Sequence, residues 1–400
     1  MKLWSTSPEE NPDSEIARFT VGDDPVTDLR LLPYDCRASA AHAAMLHAGG
    51  ILTEDEFLDV ETGLEEILDL HEREKFFIQP GDEDVHTAIE NQLTMRCGTA
   101  GRKIHTGRSR NDQVLTAVRL YEKEAIEEII AKVAAYREAL GGLAAAAGDC
   151  VLPGYTHTRR AMPTTVATWA DAFSALAADD LGLLQSVLRL VDQCPLGTAA
   201  GFGIPVLDLD RRIPARRLGF ARVLENPMAA QLGRGKIEAA VVSACSQILL
   251  GLNRLASDLI LFSTPEFGFV RLEARLTTGS SIMPQKRNPD VLELVRAGYH
   301  VVNGEEMKLK GLVANLMSGY HRDLQETKKP VFQALDTTRN CLGVMPHVLG
   351  GLSFDQDRCR AALTDDLYAT QRVYERVARG TPFRDAYRDE ARDCRKDGEG

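Results

Sequence analysis

Four short polar segments of this 400-residue chain hold side chains that bind anions or move protons. His105-Thr-Gly-Arg-Ser-Arg-Asn-Asp-Gln113 joins two guanidinium groups to residues that cap helices. Ser109 or Asn111 can cap a helix that begins here, and its free N–H groups with Arg108 and Arg110 suit a carboxylate or phosphate. Read alone, the segment is more often a plain N-cap with solvated arginines. Gly154-Tyr-Thr-His-Thr-Arg-Arg-Ala-Met-Pro163 carries His157, a group that exchanges protons near neutral pH, although a lone histidine more often caps or packs. Thr278-Gly-Ser-Ser-Ile-Met-Pro-Gln-Lys-Arg-Asn-Pro-Asp290 ends a stretch from Pro265 that lacks helical periodicity. Loops beyond ~12–15 residues are uncommon unless functional or disordered. Here Ser280 and Ser281 supply hydroxyls, Lys286 and Arg287 supply charge for an anion, and Pro284 and Pro289 stiffen the strand of chain between them. Tyr320-His-Arg-Asp-Leu-Gln-Glu-Thr-Lys-Lys329 sets Tyr320, Gln325 and Lys328 close together, for a polar ligand or as a solvated face.

Other chemistries find less support. His86 and Glu90 are spaced i, i+4, but no HExxH occurs and the nine histidines do not cluster, so no metal site is expected. Gly197, Gly201 and Gly203 form a GxG-like run with no strand before it, which argues against a dinucleotide site.

Long helices must position these segments. Asn111 to Leu140 holds no Gly or Pro, and Val114, Leu115, Val118, Ile126, Ile129, Ile130, Val133 and Leu140 repeat at helical spacing. The spacing predicts a helix of ~45 Å, ended by Gly141-Gly142. A second is expected after Pro163, with Trp169, Phe173, Leu176 and Leu183 on its apolar side, up to Pro195. A third runs from about Lys236 to Phe262. Three such helices pack as a bundle, and their wide apolar stripes suggest cover by other subunits. Thr53 with Glu56, and Ser353 with Gln356, match capping boxes of shorter helices. No segment alternates with period two for long, and the charged tail from Asp385 to Gly400 is expected to fray.

The predicted class is therefore all-α. Its division is a helical N-terminal domain over 1–110, a central long-helix bundle over 111–350 containing the loop 265–289, and a helical C-terminal domain over 351–400. Lys+Arg is 47 and Asp+Glu is 58, a net charge of −11 that argues against a nucleic-acid or membrane-coating protein. No run reaches the ~18 apolar residues of a membrane span, and no apolar signal core follows Met1. Eight cysteines are scattered, with Cys341 and Cys359 the nearest pair, as in free thiols of a reducing cytoplasm.

Taken together, the four segments resemble the fumarase/aspartase superfamily. Gly279-Ser-Ser-Ile-Met-Pro-Gln-Lys-Arg-Asn-Pro289 looks like its signature. His105 to Gln113, Tyr155-Thr-His157, Asp323-Leu-Gln-Glu326 and Glu83-Asp-Val-His-Thr-Ala-Ile-Glu-Asn91 are similar to the argininosuccinate lyase branch, and the likeness runs from Met1-Lys-Leu-Trp4 to about Ala391. The resemblance implies a homotetramer built on twenty long helices, five per subunit, with sites shared between subunits. It implies a reversible elimination of argininosuccinate to arginine and fumarate, without metal or organic cofactor. It casts Ser280 as base on a mobile loop and His157 as acid, with Glu293 behind the imidazole. Lys286 and Asn288 would hold the aci-carboxylate. Ser109, Arg110, Asn111 and Thr156 would fix carboxylates, and His86, Tyr320, Gln325, Lys328 and Arg234 would contact the rest of the substrate. The same superfamily also offers another N-substituted aspartate, such as adenylosuccinate, as substrate.

The chain departs from the branch in Trp4-Ser-Thr-Ser7, Ala161-Met-Pro163, Tyr320-His321 and Gly233-Arg-Gly-Lys236, and against the branch its C-terminal helical domain is expected to be abbreviated.

Overall fold

A computed structural model of the chain describes residues 13–79 and 82–397. The expectations for Met1 to Trp4 and Trp4 to Ser7 lie outside the described residues. Helix α1 (Leu32–Ala48), α2 (Glu54–Glu72) and α3 (Val85–Cys97) precede five long helices. These are α4 (Arg110–Ala147), α5 (Val166–Val191), α6 (Lys236–Phe262), α7 (Asp290–Val313) and α8 (Lys328–Gly350). Two short helices, α9 (Ala369–Ala378) and α10 (Phe383–Asp397), follow. The all-α class holds, and five long helices stand where periodicity alone marked three.

Local rules account for several boundaries. Thr53 and Glu56 form the expected reciprocal capping box at α2, with Glu56 N–H donating to Thr53 Oγ1 at 3.3 Å and Thr53 N–H donating to Glu56 Oε2 at 3.0 Å. Helix α6 has the predicted span. Its apolar residues Val241, Cys245, Ile248, Leu252, Leu255 and Leu259 are buried.

Other boundaries are corrected. Helix α4 runs through Gly141 and Gly142, because buried Leu140 and Leu143 anchor both sides and alanines extend the run. It stops at Gly148, whose φ of 54° is the left-handed cap a glycine adopts freely. The segment after Cys150 is a hairpin that period-two reading missed, β1 (Val151–Thr156) against β2 (Arg159–Thr165), which delays α5 to Val166. Ser353 caps nothing: it pairs with Arg271 where β3 (Val270–Leu272) meets a strand over Leu352–Phe354. Asp355 caps the next helix instead, accepting from Arg358 N–H at 3.1 Å. The tail expected to fray is helical as far as Asp397. Its Glu390 is buried and accepts from Arg372 Nε at 2.5 Å and Arg376 Nη2 at 3.2 Å.

The chain forms two compact units. The first takes residues up to Glu128 with Leu183–Cys245 and Val302–Asp336; the second takes Ile129–Gly182, Ser246–Val301 and residues from Thr337 on. In the first, Val60, Leu64 and Ile67 of α2 pack with Leu32 and Leu46 of α1 and Val85, Ile89 and Leu93 of α3. Each such side chain contributes about 1.5–3 kcal/mol by burial. A neighbouring cluster joins Leu120 of α4 to Ala38, Ala41, Leu196, Leu218 and Phe220. In the second, Trp169 packs against Phe173, Phe262 and Phe354 and donates Nε1–H to Asp258 at 3.0 Å.

Candidate active site

Ser109 begins the site in the first unit by capping α4. Its Oγ accepts from Asn111 N–H at 3.3 Å, and its own N–H donates to Asp112 Oδ1 at 2.9 Å. The glycine-rich run holds the same turn: Gly197 and Ala199 N–H groups donate to Asp112 Oδ2 at 2.8 and 2.9 Å. The first turn of α4 thereby presents Arg110 and Asn111 to a cleft of about 550 Å³. Tyr320, Gln325, Lys328 and Arg234 line the same cleft, so six of the expected substrate-contacting residues meet there. Arg234 lies over the Tyr320 ring at 5.3 Å. Gln325 Nε2 donates to the carbonyls of Thr20 and Val21 at 3.2 and 3.3 Å.

Carboxylates complete the cleft, and sequence reading had given none of them a role in binding. Asp24, Asp28, Glu83, Asp84 and Glu90 line it with the cations. Lys328 Nζ sits 2.5 Å from Asp28 and 2.8 Å from Asp24. Burial opposes the charge on Lys328, but the two carboxylates outweigh it and raise its pKa. Burial likewise raises Asp24, against the pull of Lys328. His105 Nδ1 lies 3.0 Å from Glu90. With both signs paired at its wall, the cleft suits a ligand that carries carboxylates and a cation. Glu83, Asp84 and Glu90 lie within the quoted Glu83–Asn91 segment, and Asp84 also left a local trace as the capping residue before the apolar start of α3.

Asp84 caps α3 by accepting from Thr87 N–H and Thr87 Oγ1, both at 2.7 Å, and lies 3.4 Å from Arg110 Nε. Burial would raise its pKa; the Arg110 and His86 charges and the Thr87 N–H overcome that and hold it at about 2. A depressed folded value means stability that is present above the ordinary carboxylate range and lost as pH falls toward about 2. Asp84→Asn keeps the cap and removes the titration. Its melting temperature should fall less steeply than that of the parent from pH ~4 to ~2, a comparison made by thermal denaturation across that range.

His86 is a correction. Its ring is fully buried, 3.1 Å from Asp35 through Nδ1, and it does not line the cleft. Glu90 and Asn91, one turn further along α3, line the cleft, whereas the His86 ring does not reach it.

The second unit holds the groups expected to perform the elimination, and Thr156. His157 and Thr158 occupy the two-residue turn between β1 and β2, with φ of 51° and 59°. Two consecutive left-handed residues match the twist of a tight hairpin and leave the imidazole exposed at its tip. Ser280 and Lys286 lie on a loop closed at its base by β4 (Thr278–Gly279) and β5 (Arg287–Asn288), where Gly279 opposes Arg287 and Thr278 opposes Asn288. Thr278 Oγ1 also bonds Asp290 at the start of α7. Ser280 Oγ accepts from the N–H groups of Ile282 at 3.3 Å and Met283 at 3.1 Å. Ile282 at the loop tip is 83% exposed. Glu293 is in the first turn of α7, and among the described residues no hydrogen bond or ion pair joins it to His157.

A family model described as lyase matches residues 18–304. The chain is 48% identical to an argininosuccinate lyase of Thermotoga neapolitana over 387 residues, covering 97% of this chain and 96% of that one. It is 46% identical to an argininosuccinate lyase of Sorangium cellulosum, covering 97% of this chain and 89% of that one. Among solved structures, a variant of EDDS lyase with bound fumarate superimposes with TM-score 0.79 at 26% identity, covering 96% of this chain and 76% of that one. A class II fumarase from Schistosoma mansoni shares the fold, with TM-score 0.78 at 14% identity over 91% of this chain and 86% of that one. At nearly half identity over nearly the whole of both chains, the chain belongs to the argininosuccinate lyase family.

Proposed function

We propose that this chain catalyses the reversible elimination of argininosuccinate to arginine and fumarate, the arginine-forming step of amino-acid biosynthesis. The kinship at 48% identity over 97% of the chain carries this reading, and the mixed-sign cleft supports it. Ser280 takes the proton from the succinyl carbon next to a carboxylate. The C–H electron pair becomes the C=C bond of fumarate, the C–N bond breaks, and His157 protonates the departing guanidino nitrogen. Charge builds on the adjacent carboxylate as it becomes an aci-carboxylate, where Lys286 and Asn288 stabilise it. A serine is a weak base unless its alkoxide is stabilised; the two N–H groups that meet Ser280 Oγ, with Lys286 on the same loop, supply that stabilisation. Glu293 orients and charges His157. Arg110, Asn111, Ser109 and Thr156 hold the succinyl carboxylates. Tyr320, Gln325, Lys328 and Arg234 hold the amino-acid half, beside the carboxylates of the cleft, and His86 supports that wall from within.

The same reading makes the enzyme a cytoplasmic homotetramer in which each site draws on several subunits. Leu176, Leu183 and Leu190 support it: they repeat every seven residues on α5 and are 49%, 38% and 43% exposed, a stripe suited to a partner helix. The eight free thiols fit a reducing compartment.

The test offers the purified protein argininosuccinate and adenylosuccinate separately and follows fumarate. Fumarate and arginine appearing in equal amounts from argininosuccinate is the expected result. Fumarate from adenylosuccinate alone would transfer the assignment to another N-substituted aspartate. Light scattering on the same sample should report four copies per particle.

A further inference from the structure

Besides Asp84 and Thr87 of the cleft wall, Arg110 is held from behind by a pair that does not line the cleft. Gln113, one turn further along α4, is fully buried, as is Asp35 of α1. Its Nε2 donates to both carboxylate oxygens of Asp35, at 3.0 and 3.1 Å. With the amide nitrogen so committed, Oε1 faces the other way and accepts from Arg110 Nη1 at 3.1 Å. Arg110 Nη2 donates to Thr87 Oγ1 at 3.0 Å, which leaves the guanidinium fixed on two sides. A glutamine amide has two orientations of nearly equal shape but opposite polarity; only an acceptor at the Asp35 position selects the one that offers oxygen to Arg110. Burial alone would favour a neutral Asp35, but the His86 and Arg108 charges and the Gln113 bond keep it ionised and acceptor-only.

We propose that Asp35 and Gln113 are positioning residues that set the Arg110 guanidinium for a substrate carboxylate. The proposal rests on reading Arg110 as a carboxylate anchor. No reacting atom touches either residue; they act through Arg110.

Asp35→Asn is the first probe. An asparagine there turns donor as well as acceptor, so the Gln113 amide loses its reason to present oxygen to Arg110. KM for argininosuccinate should rise about 10- to 100-fold, the scale of one oriented charge-assisted hydrogen bond, with kcat within about threefold. The second probe exchanges the two head groups, Asp35→Asn with Gln113→Glu. Shape and charge are conserved, and the carboxylate at position 113 again accepts from both its buried neighbour and Arg110. This double variant should return KM to within about threefold of the parent. A purely structural role would lower the melting temperature of Asp35→Asn without moving KM, and that result overturns the proposal. So does a double variant that regains stability but not KM. A parent protein inactive on argininosuccinate would instead count against the functional reading. Crystal structures then decide the positioning question alone: Arg110 should leave its place in Asp35→Asn and return in the double variant, and an unmoved Arg110 refutes it.

Discussion

Ser280→Ala should lower kcat by about 10²- to 10⁴-fold and leave the protein folded. Removing the hydroxyl removes the proposed base, and the elimination cannot begin until the carbon acid loses its proton. Little else should change. Ser280 is on the loop closed by Gly279 and Arg287, and among the described residues its Oγ meets the N–H groups of Ile282 and Met283 alone. Those N–H groups are close to solvent, so their loss of an acceptor costs little. Melting temperature and oligomeric state should match the parent, and KM should move by no more than about threefold, since the reading places substrate carboxylates on other residues. Single-turnover fumarate release separates the chemical step from product release. A variant that keeps full turnover would remove Ser280 from the mechanism and direct attention to His157.

Lys328→Met should cost about 3–5 kcal/mol of stability as well as weakening substrate binding. Lys328 is 5% exposed and Asp28 is 1% exposed, so the pair is taken almost wholly out of water. Among the described residues, Asp28 Oδ2 has no partner of its own and Asp24 is the one other carboxylate on Nζ. Without the lysine, two desolvated carboxylates face each other uncompensated. The sign with pH follows from the raised lysine value: the stabilisation is complete below the ordinary lysine range and is lost as pH rises through the folded value. At neutral pH the full loss is therefore seen, in chemical denaturation of the variant beside the parent. Lys328→Met with Asp28→Asn removes one stranded charge and should recover part of the stability but not the KM. If the double variant were no more stable than the single one, the ion pair would not be what holds this wall of the cleft.

Much of the candidate site was legible because its signals are local. The capping box at Thr53, the cap at Ser109 and the apolar period of α6 each depend on residues within about four positions of one another, and sequence displays such spacings directly. The hairpin bearing His157 was not legible. Its strands are short and do not alternate cleanly, and the turn uses His157 and Thr158 rather than the Asn-Gly pair that announces such turns. The reach of α4 beyond Gly141 was also hidden, since a glycine inside a helix costs only about 1 kcal/mol and the burial of Leu140 and Leu143, which tertiary packing supplies, outweighs it.

Residue order alone reveals which chemistries are available: a serine and a lysine on one stiffened loop, a histidine in a polar turn, and arginines at the start of a long helix. Tertiary structure alone decided their company. Asp28 meets Lys328 across 300 positions, Asp35 meets Gln113 across 78, and His86 turns inward to Asp35 although its helical neighbours face the cleft. The electrostatics of the cleft comes from such contacts. A charge buried beside an opposite charge costs far less than one buried alone, and no rule of local spacing reveals which distant residue will be there to pair with it.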